Sequence, residues 1–347
     1  MHLKTIKRYF TQIRFVKKTF KKYKTLLCKG KYELLPCMRI ILLKDDEIKE
    51  LGTKYFGSMT GSKTSTRISN LVNKFFALRN KKSKNDLYQA IYIANNYDKE
   101  REIKLFSFNQ KEILTICTDE QSCNKQISQY ETLHKFFGMP RVSQYNEIEH
   151  AYKISMVDVL SRPSDDEAIK DIVDCMIKYR KQNDLNTISI SEILNFNDEN
   201  EEAKKMLLEI ASYLTPNILD KKIATCLQHG DLSRDNLIYG TCEESTGFWW
   251  IDWEHLRERI FFYDFFFYML NTAIYFEDKN ALNSYLSGKY DENMFDWFKQ
   301  FGSEYNDNCR KDYFIVFAID FLKQRVCPLN NIRILKSYCD FIKEIIL

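Results

Sequence analysis

The chain has 347 residues, 44% of them hydrophobic and 29% charged, with 10 Gly and 5 Pro, which leaves room for two lobes and a sizeable core but little for long flexible linkers. No apolar run approaches the ~20 residues needed to span a bilayer, and charges break up every apolar stretch near the start, so no signal-peptide pattern is expected. Ten cysteines without a Cys-x-x-Cys pair speak against a zinc site and for reduced, cytosolic thiols.

Charge is unevenly placed. Residues Met1 to Tyr32 carry eleven Lys or Arg and no acid, which leaves the remainder at −7 against +4 for the whole. Leu3, Ile6, Phe10, Ile13, Val16, Phe20, Tyr23 and Leu27 recur at spacings of three and four, one stripe along a helix. Such a helix either docks on its own protein with a solvated lysine face, lies on an anionic membrane, or binds nucleic acid. Next, "PCMRIILLKDDEIKELG" reads as a short apolar piece followed by a polar helix. "KYFGSMTGSKTSTRISN" is not a phosphate-binding P-loop: Ser62 separates Gly61 from Lys63, and Thr53 to Phe56 is a poor strand. A Ser/Thr-rich connection before a helix fits better.

Strand-like runs follow at Leu87–Ala94, Glu102–Phe108 and Glu112–Thr118, the last two joined by a tight turn at Asn109, Gln110 and Lys111. Ile127, Tyr130, Leu133, His134 and Phe137 share one helical face, ended by Gly138 and Pro140. Tyr152–Leu160 reads as another strand, broken at Pro163. Helical patterns then dominate: Asp166–Arg180, Glu202–Leu214, Phe261–Phe276, Asp312–Lys323 and Ile332–Ile346.

Between these two regimes lies "CLQHGDLSRDNLIYG", followed by "WWIDWEH". Two apolar runs flanking "GTCEEST" predict a hairpin with Asn236 and Asp252 at nearby ends. An aspartate at a loop tip, such as Asp231, can take the proton of an attacking hydroxyl. An Asn carbonyl oxygen and an Asp carboxylate are the hard ligands that Mg²⁺ prefers. The combination suits phosphoryl transfer.

"HGDLSRDN" followed by "IDWE" resembles the protein-kinase-like fold, in the branch of aminoglycoside phosphotransferases and choline kinases. The resemblance implies an α+β, two-lobed fold: a basic amphipathic helix and extension (1–84), a small β-rich nucleotide-binding lobe (85–162) and a larger helical catalytic lobe (163–347). It implies Asp231 as catalytic base, Asn236 and Asp252 as Mg²⁺ ligands, and His229 and Asp264 as structural support of the site. Glu254 matches an acidic position of that branch. The small lobe departs from the pattern. Glu131 resembles the helix glutamate that pairs a strand lysine, but the matching strand position holds Thr115, with Lys104 or Lys111 as replacements. "NNYDKER", between Ala94 and Arg101, has no glycine to fold over phosphates. "SMVDVL" resembles the strand that meets an adenine edge.

The resulting expectation is an ATP- and Mg²⁺-dependent kinase. It would act on a hydroxyl of a small molecule or sugar, such as a lipid-linked or lipopolysaccharide-core sugar. It would be cytoplasmic, with contact to an anionic inner membrane face through residues 1–32. A pseudokinase scaffold at a membrane is the alternative, and nucleic acid is the weakest partner because the rest of the chain is acidic.

Overall fold

The computed structural model describes residues 3–37, 39–56, 63–75, 78–81, 83, 86–94 and 102–347, with side chains of the first helix from residue 11 and of the third from 66 to 74. The chain divides into two compact units, Met1–Arg162 with Ile238–Ile251, and Pro163–Leu237 with Asp252–Leu347. The glycine-free stretch 95–101 and the Gly57–Ser62 part of the rejected P-loop lie outside the described residues.

The first unit runs α1 (Leu3–Tyr23), β1 (Gly30–Leu34), β2 (Ile40–Leu43), α2 (Asp46–Phe56), α3 (Lys63–Phe75), β3 (Leu78–Asn80), β4 (Ala90–Ile93), β5 (Ile103–Ser107), β6 (Glu112–Ile116), α4 (Glu120–Leu133), β7 (Val142–Tyr145), β8 (Ala151–Ser155) and β9 (Asp158–Ser161). Eight strands form one antiparallel sheet in the order β3-β1-β2-β4-β5-β6-β8-β7. Strands from either side of residue 84 therefore share one sheet, and the sequence 1–84 contributes three of them. The β4 strand is buried throughout, Ala90 to Ile93, because both faces of the sheet are covered; this is why it reads as a continuous apolar run instead of an alternating one.

One face carries Tyr32, Leu34, Ile41, Ile91, Ile93, Ile103, Leu105 and Leu114, packed with Val16, Phe20, Tyr23 and Leu27. From Ile13 onward the apolar stripe of the first helix thus packs into the core. Each of those four side chains contributes ~1.5–3 kcal/mol of burial. Asn80 Nδ2 pins the end of the helix, donating to the carbonyls of Lys24 (2.8 Å) and Leu27 (2.9 Å). Arg14, Lys18, Lys21 and Lys22 stay exposed on the opposite side. The other sheet face packs Ile40, Leu42, Ala90, Tyr92, Phe106 and Ile113 with Ile48 and Phe56 of α2. Thr53 to Phe56 finish that helix.

The strand expected at Tyr152–Leu160 is two strands. After Met156, whose N–H donates to Lys111 O at 2.7 Å, β9 leaves the large sheet and pairs with β12 (Leu237–Cys242) of the hairpin β12–β13 (Ser245–Trp250). Gly138 ends α4 and also lets β13 approach: a Cβ there would sit 1.9 Å from Phe248 O, while its carbonyl accepts Trp250 N–H at 2.7 Å.

In the second unit, α5 (Asp165–Arg180) starts after Pro163 with a capping box of Ser164 and Glu167. A three-stranded antiparallel sheet β10 (Asn186–Ser189), β11 (Lys222–Gln228) and β14 (Arg257–Ile260) is accompanied by α6 (Ile190–Ile193), α7 (Glu201–Ala211), α8 (Pro216–Leu219), α9 (Tyr263–Tyr275), α10 (Asn280–Leu286), α11 (Asp291–Gln300), α12 (Arg310–Phe321) and α13 (Ile332–Ile346). Aromatic rings fill its core: Phe261 stacks on Phe301 at 4.4 Å, Phe266 meets Tyr285 at 4.8 Å, and Phe298 meets Tyr313 at 4.8 Å. The "FFYDFFFYM" run is packing. A five-residue π-helical turn, Leu322–Val326, follows α12. No described helix is long and apolar enough to cross a membrane.

Candidate active site

The strand β11 pairs with β14 and then turns sharply at His229 and Gly230. The turn is forced by glycine: Gly230 has φ +78°, and a Cβ there would lie 2.5 Å from His255 O. The "HGD" and "IDWEH" segments therefore back onto each other, with the His229 and Trp253 ring centroids 4.7 Å apart.

Asp264, in the first turn of α9 and fully buried, holds this turn from below. Its carboxylate accepts His229 N–H at 2.6 Å and Gly230 N–H at 2.8 Å, and its own N–H donates to Gln228 Oε1 at 2.9 Å. Burial pushes its pKa up to about 7, against the pull of the two backbone donors and of Arg259. His229 is 1% exposed. Its Nδ1 accepts Asp231 N–H at 3.2 Å, so the neutral ring carries its proton on Nε2. The imidazole shapes the loop and uses the edge a base would need.

Asn236 sits at the end of the loop, just before β12. Its N–H donates to Ser233 O at 3.0 Å, and its Nδ2 donates to Asp231 O at 2.8 Å. With the amide nitrogen committed to the loop, Oδ1 accepts no hydrogen bond among the described residues. Asp252 follows β13 at φ 68°, ψ 58°, the left-handed region, and makes no side-chain cap for the 3₁₀ turn Trp253–His255 that it precedes. A non-glycine residue held there is mildly strained. Among the described residues no group of three or more His, Cys, Asp or Glu side chains forms a metal cluster. One amide oxygen and one carboxylate nonetheless fit Mg²⁺, which binds through few protein oxygens and completes its shell with water and phosphate.

Two arginines that the sequence pattern does not reveal complete the site. Arg234, inside the loop, donates to both oxygens of Asp165 at 2.8 Å and to Asp278 Oδ2 at 2.7 Å; Tyr268 OH also donates to Asp165, at 2.9 Å. Burial opposes its charge, but hydrogen bonds to Asp278 and Asp165 outweigh that and raise its pKa. Arg325, in the π-helical turn, places Nη1 3.0 Å from Asp231 Oδ1 and donates to Gly230 O. Its guanidinium lies over the Phe267 ring at 5.4 Å. Burial, aided by Arg325, lowers His255 to about 4, so its 3.6 Å contact with Glu254 involves a neutral ring at neutral pH.

In the first unit, Lys104 on β5 lies 3.4 Å from Glu102 and over the Tyr92 ring at 5.8 Å. Glu102 accepts Gln126 Nε2 of α4 at 2.8 Å. Glu131 is exposed, its carbonyl accepts from His134 Nδ1 at 2.7 Å, and it forms no ion pair among the described residues. Lys104 and Glu131 are thus not brought together; Glu102, the acidic group beside Lys104, immediately precedes β5, and α4 reaches it through Gln126. The other candidate, Lys111, pairs with Asp158. Thr115 is buried opposite Lys104 in the β5–β6 register.

No family model matches the chain, and no curated protein matches its sequence. Similar solved structures include an amicoumacin kinase in complex with AMP-PNP, Ca²⁺ and Ami (11% identity, 73% of this chain and 88% of that one, TM-score 0.43). A choline/ethanolamine kinase family protein from Mesorhizobium loti is similar at 13% identity, 70% and 84% coverage and TM-score 0.40. A thermostable mutant of aminoglycoside phosphotransferase APH(4)-Ia, in a ternary complex with AMP-PNP and hygromycin B, is similar at 11% identity, 80% and 97% coverage and TM-score 0.44.

Proposed function

We propose that this chain is an ATP- and Mg²⁺-dependent phosphotransferase acting on a hydroxyl of a small molecule or sugar. The observation that carries the reading is the commitment of the Asn236 amide nitrogen to Asp231 O, which leaves a carbonyl oxygen for a cation on the same loop as a carboxylate. Asn236 and Asp252 would hold Mg²⁺, whose charge would screen the nucleotide phosphates. Asp231 orients the acceptor hydroxyl. As the acceptor oxygen bonds to the γ-phosphorus, its proton passes to the Asp231 carboxylate and the bond from that phosphorus to its bridging oxygen breaks, leaving ADP. Asp264, His229 and Arg234 fix the loop so that little reorganisation is left for the reaction.

Residues 85–162 are proposed as the nucleotide-binding part and 163–347 as the catalytic part, with Lys104 contributing from β5. A lipid-linked or envelope sugar acceptor at an anionic membrane remains part of the proposal. Because the α1 stripe from Ile13 onward is core, contact would be electrostatic, through Arg14, Lys18, Lys21 and Lys22. Asp231→Ala should abolish ATP-dependent product formation while the thermal midpoint stays within a few degrees; undiminished turnover would end the mechanism. Exposed Glu131 and buried Thr115 favour a second reading, a pseudokinase scaffold. Absence of any nucleotide-dependent thermal shift, with or without Mg²⁺, would select it.

A further inference from the structure

Arg325 is bound along one side only. Its Nη1 donates to Gly230 O and lies 3.0 Å from Asp231 Oδ1 in an ion pair. Its Nε and Nη2 donate to nothing among the described residues, although the side chain is 23% exposed and reaches solvent. The ring of Phe267 supports the guanidinium face at 5.4 Å. The backbone that carries it is a π-helical turn, a local distortion that re-aims side chains and is frequent at functional sites. A planar guanidinium anchored through one nitrogen, with an adjacent N–H pair that has no acceptor among the described residues, matches a carboxylate or phosphate in two-point contact. An ammonium brought to the same place would meet like charge.

We propose that the Nε–Nη2 edge of Arg325 receives an anionic group, carboxylate or phosphate, carried by the acceptor next to the hydroxyl that faces Asp231. This names the acceptor class and rests on the phosphotransferase reading. The acceptor is an acidic or phosphorylated polyol, such as a uronic acid or a sugar phosphate, and not an amino sugar or a choline-type alcohol. Tyr275 and Tyr338, whose hydroxyls lie 3.2 Å apart, add phenol groups of the kind that bind polyols. Tyr338 is within electrostatic reach of both Arg325 and Asp231, though burial is the main reason its ionisation is suppressed.

The test is calorimetric binding of glucuronate, glucose 6-phosphate, glucose and glucosamine to the full chain without nucleotide, repeated for Arg325→Gln and Arg325→Lys. The expected result is that at least one anionic sugar binds about tenfold or more tightly than glucose, and glucosamine more weakly than glucose, a gap of ~1.4 kcal/mol or more per step of ten. Arg325→Gln should remove that preference. Arg325→Lys should keep its sign and shrink it, which separates lost charge from a damaged fold. Glucuronate and glucose 6-phosphate distinguish a carboxylate from a phosphate ligand. Equal binding of all four sugars, absence of binding by both anionic sugars, or an unchanged preference in Arg325→Gln would overturn the proposal. Because no nucleotide is present, an anion preference that persists in a protein without kinase activity would sink the phosphotransferase reading alone.

Discussion

Replacing Asp264 by asparagine should change how stability depends on pH, not only its size. The carboxyl is fully buried, and burial raises its folded pKa to about 7 from an ordinary 3.8. The native state therefore holds this proton more tightly than the unfolded chain. Ionising it costs native stability progressively as pH rises from about 4 to about 7, and the favourable contribution is complete only below the unfolded value. The full span corresponds to about 4 kcal/mol, more than half of which falls between pH 5 and pH 7.5. Asparagine cannot ionise. Like the protonated carboxyl, it offers one good acceptor oxygen to the His229 and Gly230 N–H groups, so the variant stays at one stability while the wild type loses stability as the carboxyl ionises. Denaturant unfolding should then show the stability of the variant relative to wild type rising by about 2–3 kcal/mol from pH 5 to pH 7.5. Other groups titrate equally in both proteins and cancel in the difference. Amide exchange at His229 and Gly230 should quicken in the variant. Parallel stability profiles would refute the assignment of a strained, buried ionisation to this residue.

Gly230→Ala should cost at least ~1–2 kcal/mol from left-handed backbone alone and more from the 2.5 Å approach to His255 O, read as a lowered unfolding midpoint. Arg234→Leu leaves Asp165 and Asp278 without their shared cation, for a loss of about 2 kcal/mol after allowance for its partial exposure; Asp278→Asn in that background should recover part of it. Phe20→Ala should destabilise the protein by ~3–5 kcal/mol if α1 is core, whereas joint replacement of Lys18, Lys21 and Lys22 by Gln should leave stability within ~0.5 kcal/mol. The same triple replacement should abolish salt-sensitive binding to vesicles containing anionic lipid; unchanged binding would remove the membrane contact.

What could be read from the sequence was local. Gly230, Asp231, Asn236 and Asp252 lie within one turn-hairpin stretch, and turn chemistry is written in consecutive residues. The helices α5, α9 and α13 were legible because Pro163, the aromatic run and the period near 3.6 mark them. The docking of α1 is not legible in the sequence, since Val16, Phe20, Tyr23 and Leu27 make the same stripe whether the partner is a sheet or a bilayer. Strands β1 and β3 were hidden by charged and polar residues, Lys31 and Glu33 in one and Arg79 and Asn80 in the other, whose pairing only the finished sheet reveals. Arg325 was out of reach, lying 95 residues from the Gly230 carbonyl it binds, and no spacing rule links the two. Glu131 holds the expected place in its helix, but it is exposed, and Gln126 five residues earlier makes the contact to Glu102 beside Lys104.

The most direct measurement is calorimetric binding of AMP-PNP with and without Mg²⁺ to wild type and to the Asn236→Ala, Asp252→Ala and Asp231→Ala variants. The account expects Mg²⁺-dependent binding that falls at least about tenfold in the first two variants and is retained in Asp231→Ala. Binding indifferent to Mg²⁺, or equal in all four proteins, would contradict it.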